Sequence, residues 1–147
     1  MKYSTKLSDA VHIMVFIALH SDNMLTSEKI AESVKTNPAY VRQKMSCLKK
    51  AGLISSVKGH PKPALTRQPE EITLLEIYRA VEGERQLLHL DTHTNPECGV
   101  GVNIQLALQD FYDEIQEAAE ENMQRITLQD IIERYHEKMK GCGQPSA

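Results

Sequence analysis

The chain has 147 residues, 41% hydrophobic and 25% charged, enough for one globular core or a small domain with an extension. No apolar run approaches the roughly 20 residues of a membrane span. The opening MKYSTKLSDAVHIMVFIALHSD is broken by His12 and lacks a small-residue cleavage site, so a cytoplasmic protein is expected. The net charge of −3 conceals a division: residues 1–67 hold 11 Lys and Arg against 4 Asp and Glu, a surplus of +7, and residues 68–147 hold 6 against 16, or −10. A basic first half points to a polyanion partner for that half alone.

Ser4 to His20 reads as a first helix with Leu7, Val11, Met14 and Ala18 on its inward stripe. Ser21, Asp22 and Asn23 end it. A second helix starts at Thr26, where Leu25 before the cap and Ile30 inside the helix form a hydrophobic staple, and it stops near Lys35. The next stretch, TNPAYVRQKMSCLKKAGL, is a third helix with marked ends. Asn37 caps it, Pro38 takes the first helical position where a missing N–H costs nothing, and Gly52 supplies a left-handed stop. Lys49 and Lys50 suit its C-terminal dipole. Val41, Met45 and Leu48 form one apolar face, Ala39, Gln43, Ser46 and Lys50 project the other way, and Tyr40 and Arg42 flank them. Helix, turn, short helix, tight break and capped helix is the order of a helix-turn-helix, whose last helix enters the major groove. Arg and Gln make paired hydrogen bonds to purine edges, and lysine neutralises phosphate.

Leu53 to Lys58 is β-prone, Gly59-His60-Pro61-Lys62-Pro63 is a turn, and Ala64 to Arg67 returns as a partner strand. A hairpin in this place makes a wing, with Lys58, His60, Lys62 and Arg67 on its edge. The residues expected to meet DNA are therefore Ser27, Asn37, Ala39, Tyr40, Arg42, Gln43, Lys50, Lys58, His60 and Lys62.

The acidic half opens at Gln68-Pro69-Glu70-Glu71. Thr73-Leu74-Leu75-Glu76 is a capping box, Ile72 and Ile77 repeat the staple, and Gly83 ends the helix. A polar loop over residues 87–101 carries His89, Asp91, His93, Glu97 and Cys98. From Val102 to about Arg125 runs the longest helix, in which Ile104, Leu108, Phe111, Ile115 and Ala118 step by four, three, four and three, the seam spacing of paired helices. So long a seam is expected to be covered by a second copy in a homodimer. Ile126, Thr127 and Ile131 begin a last helix to Lys140, before a tail from Gly141.

SDAVHIMVFIALHS, the ITLLEIYRAVEGE run after the wing, the NPECGVG loop and the ITLQDI segment after a long helix together resemble the Rrf2 family of bacterial transcription regulators. The TNPAYVRQKMSCLKKAGL stretch is most similar to the branch without an iron–sulfur cluster. The resemblance spans nearly the whole chain. It implies a dimeric winged helix-turn-helix protein, mainly α with a small β-hairpin wing and a long dimerisation helix, usually a repressor, with the loop before the long helix acting as sensor. The expected organisation is DNA binding by residues 1–67, a linking helix and sensor loop over 68–101, dimerisation over 102–140 and a flexible tail over 141–147.

Two departures bear on the site. Cluster-bearing members place three cysteines in the loop where this chain has Cys98 alone, so no cofactor is expected, and Cys98 instead reads as a thiol sensor of a small oxidant or electrophile. The family's wing reads Arg-Gly followed by Gly-Gly-Tyr, where this chain has Lys58-Gly59-His60-Pro61-Lys62-Pro63, so Lys58 or Lys62 has to replace the wing arginine. Cys47 is placed on the outer side of the third helix. An enzyme would use His89, Asp91, His93 and Cys98, but these lie in a loop joining two helices, where such residues are common, and catalysis is not expected. The alternative is a winged-helix protein-interaction adaptor that does not bind DNA sequence-specifically. The salt dependence of DNA binding separates the two.

Overall fold

In a computed structural model the described residues are 3–141, apart from residues 22, 58, 92 and 94. Helix α1 (Lys6–Leu19) is followed by α2 (Ser27–Val34), α3 (Pro38–Lys50) and a hairpin of β1 (Ile54–Val57) and β2 (His60–Leu65). A 3₁₀ turn at Pro69–Glu71 leads to α4 (Leu74–Glu82), and after a long loop come α5 (Gly99–Arg125) and α6 (Leu128–Gly141). The fold is a winged helix-turn-helix with a long helix behind it.

Helix α1 is apolar on most of its circumference, so periodicity does not select its buried stripe and packing does. Ala10, Ile13, Met14 and Ile17 form the core face, each at most 1% exposed. Of the stripe expected from sequence only Met14 belongs to that face, and Leu7, Val11 and Ala18 are partly buried beside it. They pack with Leu25 and Ile30 of the α2 staple, Val41 and Leu48 of α3, and Ile72 and Ile77 of the α4 staple. Full burial of one such side chain contributes about 1.5–3 kcal/mol.

The expected caps are present. Thr26 Oγ1 accepts from Lys29 N at 3.2 Å, and Asn37 Oδ1 accepts from Tyr40 N at 2.8 Å. Past α3, Gly52 sits at φ +76, and Leu53 N donates back to Leu48 O at 3.0 Å, which satisfies a carbonyl at the helix end. Thr73 Oγ1 accepts from Glu76 N at 3.2 Å, but the Glu76 carboxylate turns to Arg67 instead of closing the capping box. The complete reciprocal box is at α6, where Asp130 N donates to Thr127 Oγ1 at 3.1 Å and Thr127 N donates to Asp130 Oδ2 at 3.0 Å.

The hairpin differs from the sequence expectation. Its return strand begins at His60, so Pro61, Lys62 and Pro63 lie within the strand and not in a turn. A two-stranded sheet is all edge, and β1 carries a register shift between Ser55 and Val57, so missing proline N–H groups are tolerated. Pro61 O also accepts from Leu25 N at 2.7 Å, which ties the hairpin to the start of α2.

Two ties hold the second half. Leu74 N donates to Ile126 O and Leu128 N to Ile72 O, both at 2.8 Å, so the entries to α4 and α6 lie side by side. Gln116 is the one buried residue of α5; its Oε1 accepts from Leu87 N at 2.9 Å and its Nε2 donates to Tyr78 Oη at 3.2 Å. Helix α5 starts three residues before the expected Val102 and spans 27 residues, roughly 40 Å. Most of its apolar stripe is uncovered in the single chain: Ile104 is 50%, Phe111 60% and Ile115 48% exposed, Ala118 is exposed and Leu108 half-buried.

Candidate nucleic-acid interface

Helix α3 crosses the front of the molecule with Val41 and Leu48 packed inward, and the residues between them project according to a 3.6-residue turn. Ala39, Arg42, Gln43, Ser46, Lys49 and Lys50 are exposed. A groove of about 600 Å³ runs between α3, the start of α2 and the hairpin, lined among others by Ser27, Glu28, Arg42, Lys49 and His60. Lys62 lies exposed on β2, and Lys58 lies outside the described residues.

Two of the residues expected at the interface are committed elsewhere. The Asn37 carbonyl is the helix cap. Tyr40 is half-buried, and its hydroxyl donates to Asp9 Oδ2 at 2.8 Å, joining α3 to α1. Burial, followed by the Asp9 carboxylate that the hydroxyl faces, pushes the Tyr40 phenol up to about 12. Lys44 Nζ stands 5.0 Å from the centre of the same ring, and Lys44 is only 4% exposed. A lysine in the interior carries its charge over an aromatic face and its stem along apolar neighbours.

Sequence reasoning missed Lys44 because a lysine between Val41 and Leu48 reads as solvated. It also assigned Lys49 to the helix dipole, whereas Lys49 Nζ donates to Ser56 O at 3.0 Å across the groove, tying α3 to β1. The signal was available: Arg42, Ser46 and Lys49 are spaced by four and three and share a face. Glu28, which approaches Arg42 within 3.8 Å, had no sequence signal beyond its place in the first turn of α2.

Cys98 is exposed immediately before α5, and its N–H donates to Asn95 O at 3.1 Å. Cys47 does not face outward as expected. It is half-buried and packs against the hydrophobic core, because the helix turn places it beside buried Lys44, at the edge of the face that carries Val41 and Leu48. Cys142 lies outside the described residues. His93 Nδ1 is 3.6 Å from Asp91 Oδ1, both exposed.

A helix-turn-helix with a wing, an outward basic helix and a long C-terminal helix can be compared with known families. The family model for Rrf2, described as iron-dependent transcriptional regulator, matches residues 3–134. The chain belongs to the Rrf2 family. It is 39% identical over 129 residues to YwnA of Bacillus subtilis (strain 168), named for HTH-type transcriptional regulation, covering 88% of this chain and 96% of YwnA. A crystal structure described as that of a DNA-binding protein is 38% identical and superposes with a TM-score of 0.70 over 86% of this chain and 98% of its own. The structure of CymR of B. subtilis, a global cysteine regulator, is 26% identical with a TM-score of 0.65 over 90% of this chain and 97% of CymR. These Rrf2 relatives are transcriptional regulators and not enzymes, so this chain is a transcriptional regulator with a DNA-binding fold.

The iron in the family description can be tested against the donors present. Iron–sulfur clusters are held by several converging thiolates. Among the described residues no three His, Cys, Asp or Glu side chains converge, and Cys47 is packed in the first half while Cys98 is exposed before α5. These donors do not fit a cluster. Among the described residues no helix is long and apolar enough to cross a membrane.

Proposed function

We propose that this Rrf2 protein is a homodimeric repressor that binds a pseudo-palindromic operator, with residues 1–67 on DNA, residues 68–101 as link and sensor, and residues 102–140 as dimerisation unit. The observation that carries the reading is the uncovered outward face of α3, where Arg42 and Gln43 are exposed and Arg42 lines a groove bounded by the hairpin. Arg42 and Gln43 read base edges. Ser27, Ala39, Lys50, His60 and Lys62 settle on the backbone or fill the space beside it. One reading helix per chain and one uncovered apolar stripe on α5 favour a two-fold assembly with half-sites about one helical turn apart or a multiple of it. The working location is the cytoplasm.

The decisive experiment selects bound fragments from a genomic library with purified protein and measures their affinity at two salt concentrations. A shared inverted repeat with steep salt dependence supports the reading. Salt-insensitive or sequence-indifferent binding would leave the interaction adaptor.

Cys98 supplies the regulatory input in this reading. An exposed thiol one residue before the dimer helix is placed so that modification changes the tilt of α5, and with it the spacing of the two α3 helices. Peroxide or a quinone should weaken operator binding by the wild type and leave Cys98→Ser unaffected. Equal responses would remove the sensor role and leave Cys98 as a turn residue.

A further inference from the structure

The groove in front of α3 suits a polyanion, yet it contains a carboxylate. Glu28, in the first turn of α2, lines it together with Arg42. Glu28 Oε1 is 3.8 Å from Arg42 Nη1, with the two side chains 66% and 59% exposed. Asp9, an acid of the same basic half, is turned inward, where it accepts from Tyr40 and Thr5. Glu28, in contrast, stands exposed on the surface that the proposed function assigns to DNA.

A carboxylate in the first turn of a helix is favoured by the helix dipole, and that accounts for an acid there. It does not account for one set against the arginine of the reading face. A guanidinium in such a groove has two anionic or acceptor targets: a phosphate, which carries no sequence information, or the O6 and N7 of a guanine, which do. Left alone, the flexible Arg42 side chain distributes between them. A carboxylate 3.8 Å away repels phosphate from that spot and attracts one side of the guanidinium without a hydrogen bond. Arginine has five N–H donors in a fixed fork, so one carboxylate contact leaves a pair free for a base.

We propose that Glu28 is a positioning residue for sequence discrimination: it holds Arg42 away from the phosphate backbone and presents the remaining guanidinium donors to a guanine edge. Glu28 lowers affinity for random DNA and raises the preference for operator. This rests on the reading of α3 as the base-contacting helix.

The test measures dissociation constants of the full chain for the selected operator and for a random duplex of the same length, using wild type, Glu28→Gln, Arg42→Ala and the double variant. Glu28→Gln should bind random DNA roughly two- to threefold tighter, the effect of one unit charge several ångströms from a phosphate in water. Its operator-to-random ratio should fall roughly three- to fivefold, within the range of an exposed ion pair. In the Arg42→Ala background, Glu28→Gln should leave that ratio unchanged, because nothing remains to be positioned. A thermal melt of each variant confirms equal folding. A wild-type ratio in Glu28→Gln would reduce Glu28 to a helix-start charge and overturn the proposal. An equal fall in the Arg42→Ala background would overturn it differently, by showing that Glu28 contacts a base itself. If Arg42→Ala alone kept the wild-type ratio, the base-reading role of Arg42 would fail first, and this inference with it.

Discussion

Tyr40→Phe separates a structural role from a DNA contact at one atom. The change keeps the ring beneath Lys44 and removes the hydroxyl that donates to Asp9 Oδ2 at 2.8 Å. A hydrogen bond to a charged acceptor is worth about 1.5–3 kcal/mol when both groups are dry. Asp9 is half-buried, keeps Thr5 Oγ1 as a donor at 3.3 Å and admits water, so the expected loss is about 1 kcal/mol. For a chain near this length that is a fall in Tm of about 3 °C. The assay is thermal or urea unfolding of both proteins at one fixed concentration, because the proposed dimer would link stability to concentration. The pH dependence follows from the raised phenol. Tyr40 ionises near 10 when unfolded and at about 12 when folded. Its contribution is therefore complete below pH 10 and is lost as pH rises through 12, so the difference between wild type and Tyr40→Phe should be constant at neutral pH and shrink across that window. Operator discrimination should be unchanged. A Tyr40→Phe protein of wild-type stability that discriminated less would place the hydroxyl on DNA and refute the reasoning.

Gln43→Ala should narrow the gap between operator and random DNA by about 1–3 kcal/mol. Lys62→Ala should weaken both alike and flatten the salt slope by roughly one unit; the opposite pattern would exchange their roles. Phe111→Glu, at a site 60% exposed in the single chain, should convert the proposed dimer to a monomer in light scattering, and an unaltered mass would place any two-fold contact elsewhere. Gln116→Leu removes the acceptor of Leu87 N and the donor to Tyr78 Oη, at a cost of about 1–3 kcal/mol. Hydrogen exchange at the Leu87 amide should accelerate, and unchanged protection there would show that the tie is dispensable.

What could be read in the sequence was local. Thr26, Asn37 and Thr73 cap helices because a side-chain oxygen reaches an amide three residues on, and Leu25 with Ile30 or Ile72 with Ile77 need only their fixed offset to meet. The Gly52 stop and the Arg42–Gln43 face follow from backbone geometry within one or two turns. The order of these signals was enough for the family. Tertiary packing decided the rest, because it depends on what other elements present. On α1, apolar nearly all round, neighbouring helices chose Ala10, Ile13 and Ile17 over Leu7 and Val11. Lys44 is buried and Tyr40 faces inward because α1 supplies Asp9 from 31 positions away in the chain. Pro61 and Pro63 lie in a strand because a two-stranded sheet leaves free edges and Leu25 offers its amide to Pro61. Glu28 meets Arg42 only once the turn between α2 and α3 brings the two helices together. A spacing rule cannot state that distance, because it is set by how two separate helices pack.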